Sequence, residues 1–159
     1  MAAASPPPHP GVRFPPPVIY AAGLVAGRLL HRRWPLPITG PGSWLRVALA
    51  VVCVAAWLAL FLWAWAAFRR AHTTLIPNRP AAAFVTTGPY RFTRNPMYLS
   101  LVALYLGVML LLDSYWPACL LPLVVVALQL SVIAPEERYL TAAFSTEYPA
   151  YRRRVRRWL

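Results

Sequence analysis

The sequence predicts an all-α membrane protein, a polytopic helical bundle with about four transmembrane helices and a cytosolic amphipathic C-terminal helix. Three observations carry this. The 159 residues are 59% hydrophobic, with a mean hydropathy of +0.50. Only 13% are charged, about half the ~25% of an ordinary soluble domain. The apolar residues also lie in long uncharged runs, and three such runs leave too little polar surface to cover a soluble core. Disorder is excluded too, because it requires low hydrophobicity. The length suits one domain, read as a proline-rich flexible lead-in over residues 1–17 and a membrane domain over 18–159.

Each span follows from the need for ~20 predominantly apolar residues at a rise of about 1.5 Å each. Residues 18–30 form the shortest run, with Arg28 near its end placed to snorkel. Residues 47–68 give 22 uncharged positions rich in Ala, Leu, Val and Trp, the strongest span. Residues 97–112 are short alone, but Asn95-Pro96 supplies a helix start, since proline suits a first helical position. Residues 115–134 form the last span, with Pro117 tolerated in the first turn and Pro122 expected to kink the helix. The tail places Tyr148, Tyr151, Val155 and Trp158 near one helical face, with arginines around the rest. That pattern reads as an interfacial helix bound to anionic lipid headgroups.

Charge sets the orientation. All 16 basic residues are arginine, against 4 acidic residues, for a net charge of +12. Arg69, Arg70, Arg79, Arg91 and Arg94 lie between the second and third spans. Arg138, Arg152, Arg153, Arg154, Arg156 and Arg157 follow the fourth. Two spans separate these segments, so they share a side, and the positive-inside rule assigns it to the cytoplasm. The third loop holds Asp113 and no arginine. Arg28, Arg32, Arg33 and Arg46 oppose the rule around the first loop, which also allows a re-entrant first segment.

The remaining polar residues gather in two places, 72–98 and 136–159, both on that side. Gly88-Pro89-Tyr90 marks a turn, and Arg94-Asn95-Pro96-Met97-Tyr98 enters a helix. Glu136 and Glu137 follow the last span, about 100° apart on a helix, so at most one faces a given neighbour. They suit a cationic amino group or ribose hydroxyls, but equally a solvated helix end paired to arginine. Carboxylates at a helix C-terminus oppose its dipole, which suggests either that the helix continues past them or that they are kept for a purpose. Tyr90, Tyr98 and Arg94 serve equally as headgroup-level anchors. His72, just past the second span, can bind a carboxylate or orient a nucleophile.

Other classes are unsupported. Cys53 and Cys119 lie inside apolar runs, and no His/Cys cluster has metal-ligand spacing, so no metal is expected. The Arg-rich tail follows membrane spans without any nucleic-acid motif, so no nucleic-acid partner is expected. Glycine-rich nucleotide loops and the serine-hydrolase elbow are missing.

The elements GPYRFTRNPMYLS, EERYL and F-x-x-EY-x-x-Y ending in RRWL resemble the isoprenylcysteine carboxyl methyltransferase and phospholipid methyltransferase superfamily, in particular small bacterial integral membrane members. The resemblance covers roughly His72 to the C-terminus. It implies S-adenosyl-L-methionine as cofactor and methyl transfer at the cytosolic face of the inner membrane. It also implies a lipidic or amphipathic acceptor whose nucleophile is a carboxylate, amine or thiol. Carried over, it assigns His72, Tyr90, Arg94, Pro96, Tyr98, Glu136, Glu137, Tyr148 and Tyr151 to the cofactor, and Arg94, Asn95 and Tyr98 to catalysis. The chain departs from the pattern at Gln129 and Leu130, where a histidine and an arginine are usual, and at Ser145, where glycine is. An NADPH-dependent reductase related to sterol reductases, and a non-enzymatic scaffold or lipid-binding protein, are the alternative readings.

Overall fold

The computed structural model describes residues 11–12, 14–38, 43–71 and 84–159. The lead-in 1–10, most of the second polar loop and His72 lie outside the described residues. Those described form five helices: α1 (Pro16–Arg33), α2 (Trp44–Arg70), α3 (Pro96–Leu111), α4 (Trp116–Ala143) and α5 (Glu147–Arg154). A 3₁₀ turn (Gly88–Arg91) precedes α3. No strand occurs among the described residues; one isolated parallel bridge joins Thr93 and Arg156.

Local chemistry explains the boundaries. Pro16, Pro96 and Pro117 each stand in a first turn, where a missing N–H costs nothing. The Ser43 hydroxyl accepts a hydrogen bond from the Arg46 amide and caps α2. α4 remains α-helical through Pro122, and its irregularity comes later, as a π turn over Gln129–Ile133. Pro135 lies just beyond. It has no N–H to give the Ser131 carbonyl, and its ring crowds that carbonyl; widening the turn relieves both. The helix then runs on through Glu136 and Glu137, one of the two outcomes that the dipole reasoning allowed.

Two helices, α2 and α4, are long and apolar enough to cross a membrane; α3 is apolar but has 16 residues. α1 has 18 residues and is continuous, with no re-entrant turn. It reaches from the start of α3, where the Tyr20 hydroxyl donates to the Tyr98 carbonyl at 3.0 Å, to the start of α4, where Trp116 Nε1 donates to the Trp34 carbonyl at 2.7 Å. α2 buries only Ala50, Ala64 and Ala67, while Leu49, Val51, Val52, Leu58 and Leu62 stay exposed. Such a surface suits lipid and is a liability in water.

In lipid, helices gain little from hydrophobic burial against one another, so close packing and hydrogen bonds must hold them. Gly27 of α1 sits against Pro117, where a Cβ would meet the ring at 2.7 Å and the backbone nitrogen at 2.9 Å. Gly23 fits between Val124 and Tyr105, and the Tyr105 hydroxyl donates to the Pro117 carbonyl at 2.8 Å. Tyr20, Tyr105, Val124, Leu128, Val132 and Ile133 form the core around these contacts. One end of the bundle is tied by Arg46, whose Nη1 lies 2.7 Å from Asp113, and by the Ile38 amide on the same carboxylate. Arg46, one of the arginines that opposed the charge rule, is thereby neutralised. The opposite end holds both polar segments.

The tail corrects the single amphipathic helix expected there. α5 ends at Arg154, and Val155 is already extended (φ −119°, ψ 130°). Tyr148 and Tyr151 are buried against protein, and Trp158 packs on the core from the extended segment. The aromatic face is therefore turned to the protein interior and away from headgroups, because the 3₁₀ turn and Phe84 provide partners for it.

Candidate active site

The two polar segments meet through three cross-links, each joining one residue from either side. The Tyr98 hydroxyl, in the first turn of α3, donates to the Glu136 carboxylate at 2.7 and 2.8 Å. Arg94 Nη1 lies 3.0 Å from Glu137 Oε1. The Tyr151 hydroxyl donates to the Tyr90 carbonyl at 2.7 Å. Gly88 opens the turn at φ +61°, a left-handed conformation glycine adopts without strain, and so brings Tyr90 under α5. Phe84 stacks edge-on with Phe144 and Tyr148, walling this end.

The extended C-terminus completes the cluster. The Arg157 guanidinium grips Glu137 from the other side, Nη2 at 2.6 Å and Nε at 3.1 Å. Its carbonyl accepts from Thr93 Oγ1 at 3.0 Å and Asn95 Nδ2 at 3.1 Å. The Arg94 amide donates to the Arg156 carbonyl at 2.9 Å. Asn95 is buried, and its side chain holds the tail; Pro96 is buried at the helix start behind it.

The adjacent glutamates therefore occupy different electrostatic situations. Glu137 is 7% exposed and balanced by two guanidinium groups. Glu136 lies beyond the uncharged stretch of α4, with a phenol as partner and no ion pair among the described residues. Burial pushes its carboxyl up to about 7, against the Tyr98 hydrogen bond, with the Glu137 charge adding to the rise. Burial, then the Tyr151 and Glu136 charges, pushes Tyr90 far upward. Burial raises Tyr148 to about 12, with Glu137 reinforcing and the nearby Arg94 opposing. The Glu137 hydrogen bond holds Arg157 above its ordinary value. Arg94 Nε is buried with no hydrogen-bond partner.

Of the residues expected from sequence, Tyr90, Arg94, Asn95, Pro96, Tyr98, Glu136, Glu137, Tyr148 and Tyr151 gather at this end; His72 lies outside the described residues. Thr93 and Arg157 were not anticipated. Five arginines occur in the last eight residues, and nothing in their spacing singles out Arg157. Gln129 and Leu130, the departures from the expected pattern, open the π turn just before the glutamates.

Apolar helices with carboxylate, guanidinium and phenol groups gathered at one end define the class, a helical membrane protein with a polar site at one end of its bundle. The phospholipid methyltransferase family model matches residues 45–147, about two thirds of the chain. The protein belongs to this family, within the superfamily that includes the isoprenylcysteine carboxyl methyltransferases, and is a membrane methyltransferase. The match begins earlier than the resemblance seen in the sequence, at the start of α2. It ends before Tyr148, so α5 and Arg157 lie beyond it. Comparison with curated proteins and with solved structures gives no match.

Proposed function

We propose that the protein is an S-adenosyl-L-methionine-dependent methyltransferase with four spans. It methylates a lipidic or amphipathic acceptor at the cytoplasmic face of a bacterial inner membrane. One observation carries the cofactor: among the described residues the site holds a half-buried carboxylate without a cation, Glu136, and a buried guanidinium N–H without an acceptor, Arg94 Nε. A carboxylate without a counter-ion and a buried N–H without an acceptor are each costly unless a ligand matches them. An amino-acid group supplies both, an ammonium for Glu136 and a carboxylate for Arg94, and the cofactor carries one. Glu137 is not available for this, because Arg94 and Arg157 already occupy it.

When bound, the cofactor supplies an electrophilic methyl group to an acceptor nucleophile, and a neutral thioether leaves. That displacement needs placement and exclusion of water more than a strong acid or base. Arg94 and Glu136 orient the cofactor. Tyr98 fixes Glu136 by hydrogen bonding, and Tyr90 and Tyr98 offer aromatic faces to a cation. Phe84, Tyr148 and Tyr151 exclude water, and Asn95 and Pro96 hold the turn that carries Arg94. The family resemblance adds His72, which lies outside the described residues, to this set. Both arginine-rich segments lie at this end, which supports the cytoplasmic assignment.

Calorimetric titration of the detergent-purified protein with S-adenosyl-L-methionine, with NADPH in parallel, tests the proposal. Saturable binding of the former that is lost in Glu136→Gln is expected. Binding of NADPH alone overturns the proposal in favour of a reductase; binding of neither, by folded protein, favours the scaffold.

A further inference from the structure

A second polar feature adjoins the cross-linked cluster and shares Glu137 and Arg157 with it. A cleft of about 450 Å3 opens between the polar end of α4 and α5, lined by Ala134, Glu137, Arg138, Thr141, Arg152 and Arg157 among others. Three guanidinium groups face one carboxylate, and that carboxylate is already paired with Arg94 and Arg157. Arg138 and Arg152 are exposed and make no ion pair among the described residues. The cleft therefore carries uncompensated positive charge. Thr141 donates its hydroxyl proton to the Glu137 carbonyl at 2.6 Å, so the donors left for a ligand are guanidinium N–H groups.

The position of the cleft restricts its occupant. Leu123, Val126 and Leu130 are exposed on α4 at spacings of three and four, a stripe that continues into Ala134 and Arg138. The apolar part of the stripe ends one turn before the first arginine. A chain lying along it brings a headgroup to the cleft, at the depth where hydrocarbon gives way to water.

We propose that this cleft is a binding site for one membrane lipid with an anionic phosphate headgroup, its phosphate held by Arg138 and Arg152 and its acyl chain lying along Leu123, Val126 and Leu130. The site rests on the reading of α4 as a membrane span and is independent of the cofactor. Because Arg157 lines both places, an anion here also bears on the hold that Arg157 has on Glu137.

The test uses the full chain in nanodiscs of phosphatidylcholine with a minor fraction of phosphatidylglycerol, and native mass spectrometry of the lipids retained. Wild-type protein should retain phosphatidylglycerol preferentially. At about 1 kcal/mol per arginine, the double variant Arg138→Ala/Arg152→Ala should lose that preference roughly 30-fold. Arg153→Ala/Arg154→Ala removes the same charge from exposed arginines that do not line the cleft, and should lose at least fivefold less. Equal losses in the two variants overturn a localised site. Abolition of the preference by millimolar inorganic phosphate overturns the lipid as ligand in favour of free phosphate. Failure of the protein to enter nanodiscs overturns the membrane reading together with the site, whereas loss of cofactor binding with the lipid preference intact counts only against the proposed function.

Discussion

Neutralising the two adjacent glutamates one at a time should give opposite results. Glu137 is 7% exposed and paired with Arg94 at 3.0 Å and Arg157 at 2.6 Å. Removing one partner of a buried ion pair costs about 3–5 kcal/mol, because the charge left behind remains desolvated. The Arg157 side chain is 32% exposed and can partly return to water, which brings the expectation for Glu137→Gln to about 3 kcal/mol. At about 2–4 °C per kcal/mol for a chain of this size, Tm should fall by roughly 6–12 °C. Glu136→Gln differs: glutamine still accepts the Tyr98 hydrogen bond and removes a half-buried charge that has no counter-ion among the described residues, so Tm should hold or rise. The 7 tryptophans give an intrinsic fluorescence signal for both melts, followed by cofactor titration of each variant at a temperature where it is folded. Glu136→Gln should be stable and unable to bind; Glu137→Gln should be fragile. A Glu137→Gln protein that melts like the wild type while Glu136→Gln binds normally would refute the division of roles.

Three further outcomes follow from other contacts. Tyr98→Phe removes the only side-chain donor to the Glu136 carboxylate among the described residues, and should weaken cofactor binding by about 1–3 kcal/mol; unchanged affinity in a titration refutes the contact's role. The Glu136 carboxyl is raised from 4.5 to about 7, so the folded protein holds more protons than the unfolded one between those values. Its contribution to stability is therefore full below about pH 4.5 and is lost as pH rises through about 7. Binding of a cation near pH 6 should release a proton, visible as a buffer-dependent calorimetric enthalpy that Glu136→Gln abolishes. Gly27→Ala places a methyl group 2.7 Å from the Pro117 ring and 2.9 Å from its backbone nitrogen, and overpacking of this kind costs about 1–3 kcal/mol. The melt should shift down accordingly, and a wild-type melt would mean that α1 and α4 are not in close contact.

The Arg157 contacts explain how a short chain organises a polar site at its membrane-proximal end. The turn over 93–95 lacks a strand or a long helix to brace it. Hydrogen bonds to the Arg156 and Arg157 carbonyls supply the bracing, and the Arg157 guanidinium extends it to α4. The last residues of the chain thereby tie together α3, α4 and the turn between α2 and α3.

The helices were legible from the sequence because each depends on local or compositional signals. Uncharged run length located α2, α3 and α4, and prolines at first-turn positions marked the starts of α3 and α4. The convergence of Tyr90, Arg94 and Tyr98 with Glu136, Glu137 and Tyr151 was legible for a similar reason: charge patterning put both segments on one side, and the family motif paired them. The π turn was not, because the kink expected at Pro122 and the widening before Pro135 involve the same missing N–H, and only the surrounding packing decides between them. The tail was misread in part. A helical stripe of tyrosines looks the same whether it faces headgroups or protein, and the partners that bury Tyr148 and Tyr151 lie more than fifty residues away in sequence.

The sequence alone thus determined the class of protein, the helices and the end of the bundle that carries polar chemistry, since these depend on hydropathy, proline placement and charge along the chain. Only the tertiary structure decided that Glu137 is paired with two arginines while Glu136 has no cation among the described residues, that one arginine among five in the tail clamps the site, and that Arg138 and Arg152 share a cleft. The physical reason is that desolvation and pairing depend on which groups meet across the fold. Two adjacent glutamates with identical chemistry acquire different electrostatic surroundings only once their neighbours are in place.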